Sequence, residues 1–377
     1  MKKSMLSFLA LASASALALA GCAEPPSQTT NTPGTGGSKP ASSPTATDPA
    51  PSGADFKACM VSDAGGFDDK SFNETAYAGL MKAKDELGIA TNQIESNAED
   101  QFAGNVQAMI DDKCDLVITV GFALASATEA AAKQNPDVKF TIVDNGSFEG
   151  VDNAKGIIFN TAEPAFMAGY VAAAMTKTGT VGTFGGAPYP TVTVFMDGFA
   201  EGVAYYNTKK EKDVKLIGWD EKKQDGQLVG GNNPFGDIPG GKNTAATLIS
   251  QGADIIMPVA GPAGLGALQA AQESNGKVNA IWVDTDGYIS APDYKSVIIT
   301  SVEKAMDVAV FDTIKSAMDG NFSSDPYVGT LANDGALLAP FHDFEGKTPE
   351  GLQAELDQIK ADIISGTIKI TSPSQPK

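Results

Sequence analysis

The chain has 377 residues, 46 acidic against 27 basic side chains, a net charge of −19, one histidine and three cysteines. That balance excludes a nucleic-acid backbone as partner, because binding one requires clustered Lys and Arg; it fits a soluble chain with little self-association, expected to be a monomer. A single His and so few Cys leave no ligand set for a metal centre, and none is expected.

Lys2 and Lys3 precede a mostly apolar run over 5–20, short and rich in Ala and Ser, which is the pattern of a secretory signal. The run ends in Leu19-Ala20-Gly21-Cys22, which resembles the bacterial lipobox. Residues 1–21 are therefore expected to be removed and Cys22 to carry lipid, holding the chain on the extracytoplasmic face of a cell membrane. Residues 23–54 contain seven Pro, six Thr, five Ser and four Gly and no large apolar side chain, too little surface to offset the entropy of ordering. A flexible tether reaching about 30 Å is expected there. No later stretch approaches the roughly 18 consecutive apolar residues of a spanning helix.

The remaining residues, roughly 320, are about right for two domains. Strand-like runs occur at 56–62, 92–96, 115–121, 138–144, 156–160, 180–186, 213–219, 253–259, 279–284 and 296–302. Helical periodicity fills 72–87, 101–112, 124–134, 163–177, 191–207, 242–251, 264–274, 303–319 and 348–364. Near-continuous apolar strands alternating with helices predict an α/β chain of two doubly wound parallel sheets, each covered on both faces. Cys59 and Cys114 sit in or beside apolar strands, and two buried thiols are expected, with a disulfide as the alternative in an oxidising compartment.

Open parallel sheets bind ligands beyond the carboxyl ends of their strands, so the turns at 63–73, 121–124, 144–150, 184–193, 260–264 and 284–293 carry the most interest. In the first, Ser71 and Glu74 have the spacing of a capping box, which predicts a helix from Phe72. Asp63 then ends the first strand, and Phe72 and Asn73 stand on the same rim. Asp68, Asp69 and Lys70 read as an acidic cap without a ligand role. Asp144 and Asp284 end two further strands, and Lys304 follows a third. Gly261 and Gly264 open a turn where backbone can approach a ligand. Asp286 reads as structural, and the D-T-D-G beginning at Asp284 lacks the acid that a calcium loop needs at its twelfth position, which is Lys295. His342 is far in sequence from these turns. With no phosphate loop and no nucleophile elbow, the chain reads as a binding protein without a cofactor, not as an enzyme.

The opening turn, D-x-G-G-x-x-D-x-S-F-N-x-x-A-x-x-G-L from Asp63 to Leu80, resembles the first motif of the basic-membrane-protein family of substrate-binding lipoproteins, among them the purine-nucleoside receptors of ABC transporters. The blocks at 159–173, 251–268, 281–293 and 299–304 resemble the same family. The resemblance implies a type I periplasmic-binding-protein fold with a ligand cleft between the lobes. One lobe would comprise 55–161 with about 303–325, the other 162–302 with about 326–377. It also implies a permease and an ATPase as partners, and a nucleoside, purine favoured, stacked between two rings. Phe72 would be one ring. Phe235, 17 residues before Gly252, best matches the other, with Phe184 in reserve because 220–242 is longer than the family's usual connection. Asp284 would grip the ribose diol and Lys304 would donate to it. Glu163 makes an N-x-x-E cap with Asn160, yet the resemblance sets an acid from this region at the base edge, a role for which Asp144 competes. A sugar receptor of the same fold, and a sensory or adhesive lipoprotein, are the other readings.

Overall fold

The computed structural model describes residues 53–376. The expected signal segment, the lipidated Cys22 and the tether as far as residue 52 lie outside the described residues. Gly53, expected to be tether, is already folded: its carbonyl accepts from Phe56 N at 3.0 Å. Among the described residues no helix is long and apolar enough to cross a membrane.

In chain order the first elements are β1 (Lys57–Ser62), α1 (Phe72–Leu87), β2 (Ala90–Ile94), α2 (Phe102–Asp111), β3 (Leu116–Val120), α3 (Ala125–Gln134), β4 (Lys139–Val143) and β5 (Ala154–Phe159). The second run is α4 (Ala162–Met175), β6 (Thr180–Gly185), α5 (Pro190–Lys210), β7 (Lys215–Ile217), β8 (Trp219–Asp220), β9 (Asp225–Gly226), α6 (Ile238–Ser250) and β10 (Ile255–Val259). It continues through α7 (Leu265–Glu273), β11 (Asn279–Asp284), α8 (Gly287–Ser290) and β12 (Ile298–Lys304). Last come α9 (Met306–Met318), β13 (Tyr327–Gly329), β14 (Ala336–Leu338) and α10 (Leu352–Ile364).

Two six-stranded sheets result, β13-β5-β4-β3-β1-β2 and β14-β12-β11-β10-β6-β7, with β8 and β9 as a separate ribbon. All pairings in the first sheet are parallel; in the second only β14 runs antiparallel, beside β12. The central strands β1, β3, β4, β6, β10, β11 and β12 are buried on both faces, which is why they read as largely apolar runs, whereas the edge strands β2 and β7 are partly exposed. In β1, Ala58 and Met60 pack toward α1 and α9, while Cys59 and Val61 pack toward α2 and α3. Each such large side chain contributes about 1.5–3 kcal/mol by leaving water. The chain crosses between sheets after β5, after β12 and between β13 and β14. The second visit to the first sheet outlasts the expected limit near 325, because β13 pairs with β5 through Tyr327, Val328 and Gly329.

The thiol expectation is corrected: Cys59 and Cys114 form a disulfide, with Cα atoms 5.9 Å apart. Both are buried as expected. What joins them is the parallel pairing of β1 with β3, strands separated in sequence by β2 and α2. A crosslink over a loop of this length contributes about 4 kcal/mol by restricting the unfolded chain.

Candidate ligand site between the lobes

In both sheets the strand order reverses once, between β1 and β3 in the first and between β6 and β10 in the second. A reversal sends the flanking connections to opposite faces and leaves a crevice at the carboxyl ends. The two crevices face each other, and the space between them, open solvent at the mouth included, is about 1010 Å³. Asp63, Phe72, Asn73, Asp144, Phe235, Gly261, Asp284 and Lys304 all line it.

The polar end is built around Lys304, which is 4% exposed. Its Nζ lies 2.7 Å from Asp144 Oδ2 of the first lobe and 3.3 Å from Asp284 Oδ1 of the second. The ammonium also stands over two rings, 4.9 Å from the centroid of Phe72 and 5.1 Å from that of Phe195. Burial alone would lower Lys304, but Asp144 and Asp284 more than offset that and hold it above its ordinary value. Burial pushes Asp144 up to about 6 against the pull of Lys304, and pushes Asp63 up as well. Asp144 and Asp284 both sit in left-handed backbone, at φ 66° and 73°. Asp tolerates that region better than most residues, and here it turns both carboxylates toward one lysine.

Asp63 Oδ1 accepts from Asn73 Nδ2 at 2.9 Å and from Gly65 N at 3.2 Å. Behind it Gly121 follows β3 at φ 118°, and a Cβ there would sit 2.4 Å from Asp63 Oδ2, so only glycine fits. Two buried acceptors of this wall, Asn73 Oδ1 and Asp144 Oδ1, have no hydrogen-bond partner among the described residues. A buried oxygen left so costs free energy unless a donor reaches it.

The far end is aromatic. Phe122 of the first lobe meets Tyr189 of the second at 5.2 Å between centroids, and Tyr189 meets Phe235 at 5.9 Å. Phe235 lies over Gly186, where a Cβ would be 2.4 Å from the ring. Phe122 and Tyr189 belong to turns that the sheet-end rule singles out, so their rings were findable from sequence. Phe195 is one turn inside α5 among other buried apolar residues, and nothing local marks it.

Four expectations are corrected. Glu163 is outside the cleft lining: its carboxylate accepts from Asn160 Nδ2 at 2.9 Å and from Leu331 N at 2.7 Å, tying two interlobe crossings together. Gly264 is also outside the lining; it packs on Trp282, where a Cβ would be 3.0 Å from the ring. The reserve ring Phe184 is fully buried in the second lobe's core. Helix α1 does start at Phe72, but Ser71 makes no side-chain cap. The cap is Asp69, whose carboxylate accepts from Ser71 N, Asn73 N and Glu74 N at 2.9, 2.8 and 3.1 Å. Asp69 is buried and lines the cleft, and burial pushes it up to about 7 against those donors. His342 bonds Asp286 at 2.7 Å, away from the cleft lining.

These shifts carry a sign. Asp69 at about 7, Asp144 at about 6 and Asp63, also raised, bind protons in the fold that the unfolded chain releases near pH 4. Where the native state holds more protons, stability falls as pH rises, here between about pH 4 and 7. The ligand-free protein should therefore melt at a higher temperature at pH 5.5 than at pH 7.5. A calorimetric scan with the opposite order would contradict the buried-acid assignment.

Comparison with known proteins reports on this architecture. The family model described as "ABC transporter substrate-binding protein PnrA-like" matches residues 56–370. A protein of Lactococcus lactis named "ABC transporter nucleoside-binding protein BmpA" is 31% identical over 392 residues, covering 100% of each chain. "Basic membrane protein A" of Borreliella burgdorferi is 31% identical over 321 residues, covering 82% of this chain and 86% of that one. Among solved structures, an ABC transporter solute-binding protein of Aeropyrum pernix superposes with a TM-score of 0.72 at 26% identity, covering 84% of this chain and 94% of its own. A D-allose-bound periplasmic solute-binding protein of Actinobacillus succinogenes, 14% identical with a TM-score of 0.57 over 77% of this chain and 99% of its own, shares the fold.

Proposed function

The chain belongs to the Bmp family of PnrA-like ABC transporter substrate-binding proteins, and from that premise we propose that it captures a nucleoside, preferentially a purine one, for a cognate permease and ATPase. We infer that it does so from the extracytoplasmic face of a membrane, tethered through lipid on Cys22. The observation that carries the ligand is the pairing, in one cleft, of a buried Asp144–Lys304–Asp284 cluster with rings from both lobes. A nucleoside has the matching halves: a flat, apolar-faced base and a sugar rich in hydroxyl donors. Phe72 and Phe235 stack the base, each contact contributing about 1–3 kcal/mol. Asp284 and the free oxygen of Asp144 accept from the sugar hydroxyls, and Lys304 donates to them.

Asp63, Asp144 and Asp284 around one lysine leave the polar end anionic once the acids ionise, which favours an uncharged nucleoside over a nucleotide. With Glu163 outside the lining, Asn97, Glu99, Asn232 and Asn233 join Asp144 as lining groups available to the base edge. Calorimetric titration with adenosine, guanosine, inosine, cytidine and ribose tests the reading. Nucleosides should bind at least about 30-fold more tightly than ribose, the smallest gain expected from two stacking contacts. Ribose binding as tightly as any nucleoside would establish a sugar receptor instead. Release of free base from inosine would establish a nucleosidase.

A further inference from the structure

The short turn between β1 and α1 does more than line the cleft. Lys70 stands at φ 60°, a left-handed conformation that a lysine adopts only when its surroundings hold it there. Its N–H donates to Glu74 Oε2 at 2.9 Å, and Asp69 pins the next residues through their N–H groups. Held in this way, the Lys70 carbonyl points at the other lobe. There it accepts from Trp282 Nε1 at 3.2 Å and from Ser290 Oγ at 2.9 Å. Ser71, fully buried, has given up its capping role, and its one hydroxyl hydrogen is shared across the same gap between Asp284 Oδ2 at 2.9 Å and Val283 O at 3.2 Å.

We propose that Lys70 and Ser71 form a ligand-independent latch onto Trp282, Val283 and Ser290 that holds the lobes closed, and that Ser71 is a positioning residue for Asp284. Three features support it. Lys70, Ser71, Trp282 and Ser290 are all absent from the cleft lining, so their bonds to one another do not depend on groups that face the cleft. All four contacts join β1–α1 residues to residues of β11 and α8, so opening the lobes breaks them together. Opening also leaves the strained carbonyl of Lys70 without its protein donors. A closed state favoured before the ligand arrives reduces the part of the binding free energy spent on closure. The latch thereby sets affinity through closure, and through Ser71 it also holds the Asp284 carboxylate in place.

Small-angle scattering of the full-length, ligand-free protein tests the closure. Wild type should scatter as the compact form and change little on adding inosine. Ser290→Ala, at a half-buried site, should expand the free protein, and the Ser71→Ala/Ser290→Ala pair should expand it further. Inosine should recompact both. Inosine affinity should fall in proportion to the closed fraction of the free protein, by at most about 2–10-fold for each lost hydrogen bond. Ser71→Ala should lose more affinity than Ser290→Ala at equal expansion, because it also frees the Asp284 carboxylate, and Ser71→Thr should restore it.

Identical scattering of free wild type and the paired variant would overturn the latch, as would a free wild type that compacts on adding inosine as much as that variant does. Equal affinity losses in Ser71→Ala and Ser290→Ala would overturn the positioning role. The affinity arm rests on the nucleoside reading. The scattering of free protein does not, so failure of inosine to bind would remove the ligand assignment and leave the latch testable.

Discussion

Lys304→Met should lower the stability of the ligand-free protein by about 3–5 kcal/mol at pH 7.5 and take nucleoside binding below detection. Methionine fills most of the lysine's volume, so the loss is electrostatic. Without the ammonium, Asp144 and Asp284 face each other in a site where both are buried. Asp144 is already raised to about 6 with Lys304 beside it, and removing that cation raises it further. A buried acid whose folded value exceeds its unfolded one gains stability as pH falls. The gap between variant and wild type should therefore narrow between pH 7.5 and pH 5. Urea melts at the two pH values measure it. A variant within 1 kcal/mol of wild type at pH 7.5 would mean that solvent reaches the cluster and screens it.

Asp284→Ala should behave differently, losing at least about 100-fold in nucleoside affinity while changing stability much less. The affinity loss follows from leaving sugar hydroxyls unpaired in a closed cleft, at about 1.5–3 kcal/mol for each hydrogen bond to a charged group. Stability has compensating contributions. Asp284 raises both Asp63 and Asp144 by like-charge repulsion, so its removal relieves them. Against that, φ 73° at this position disfavours alanine, and Ser71 loses an acceptor. Asp284→Asn separates the contributions, since asparagine accepts the backbone conformation and keeps an acceptor but lacks the charge. Unchanged affinity in both variants would take Asp284 out of the site.

Much of the architecture is legible because it is local. The central strand runs are mostly apolar because those strands are covered on both faces, and β11 spans Asn279–Asp284 as the pattern predicts. Misses occur where the deciding contact is distant. β13 and β14 have three residues each, too short for a period to register, and exist because a neighbouring strand offers an edge. The spacing of Ser71 and Glu74 is that of a capping box, yet the acceptors on β11 attract the serine and Asp69 replaces it. Glu163 shows the same contest resolved the other way: its local partner Asn160 keeps it, and Leu331 N completes the pair.

By itself the sequence determined the alternation of strands and helices, the location of cleft-lining groups at strand ends, and the acidic net charge. Backbone sterics, side-chain period and net charge are properties of neighbours along the chain, so reading them requires no fold. Only the tertiary structure decided that Cys59 meets Cys114, that one lysine is shared by Asp144 and Asp284, and that Lys70 and Ser71 reach across to β11 and α8. Each of those pairs joins residues far apart in sequence, and what brings them together is the order in which parallel strands stack. That order is chosen by the burial of the whole sheet, and no single segment encodes it.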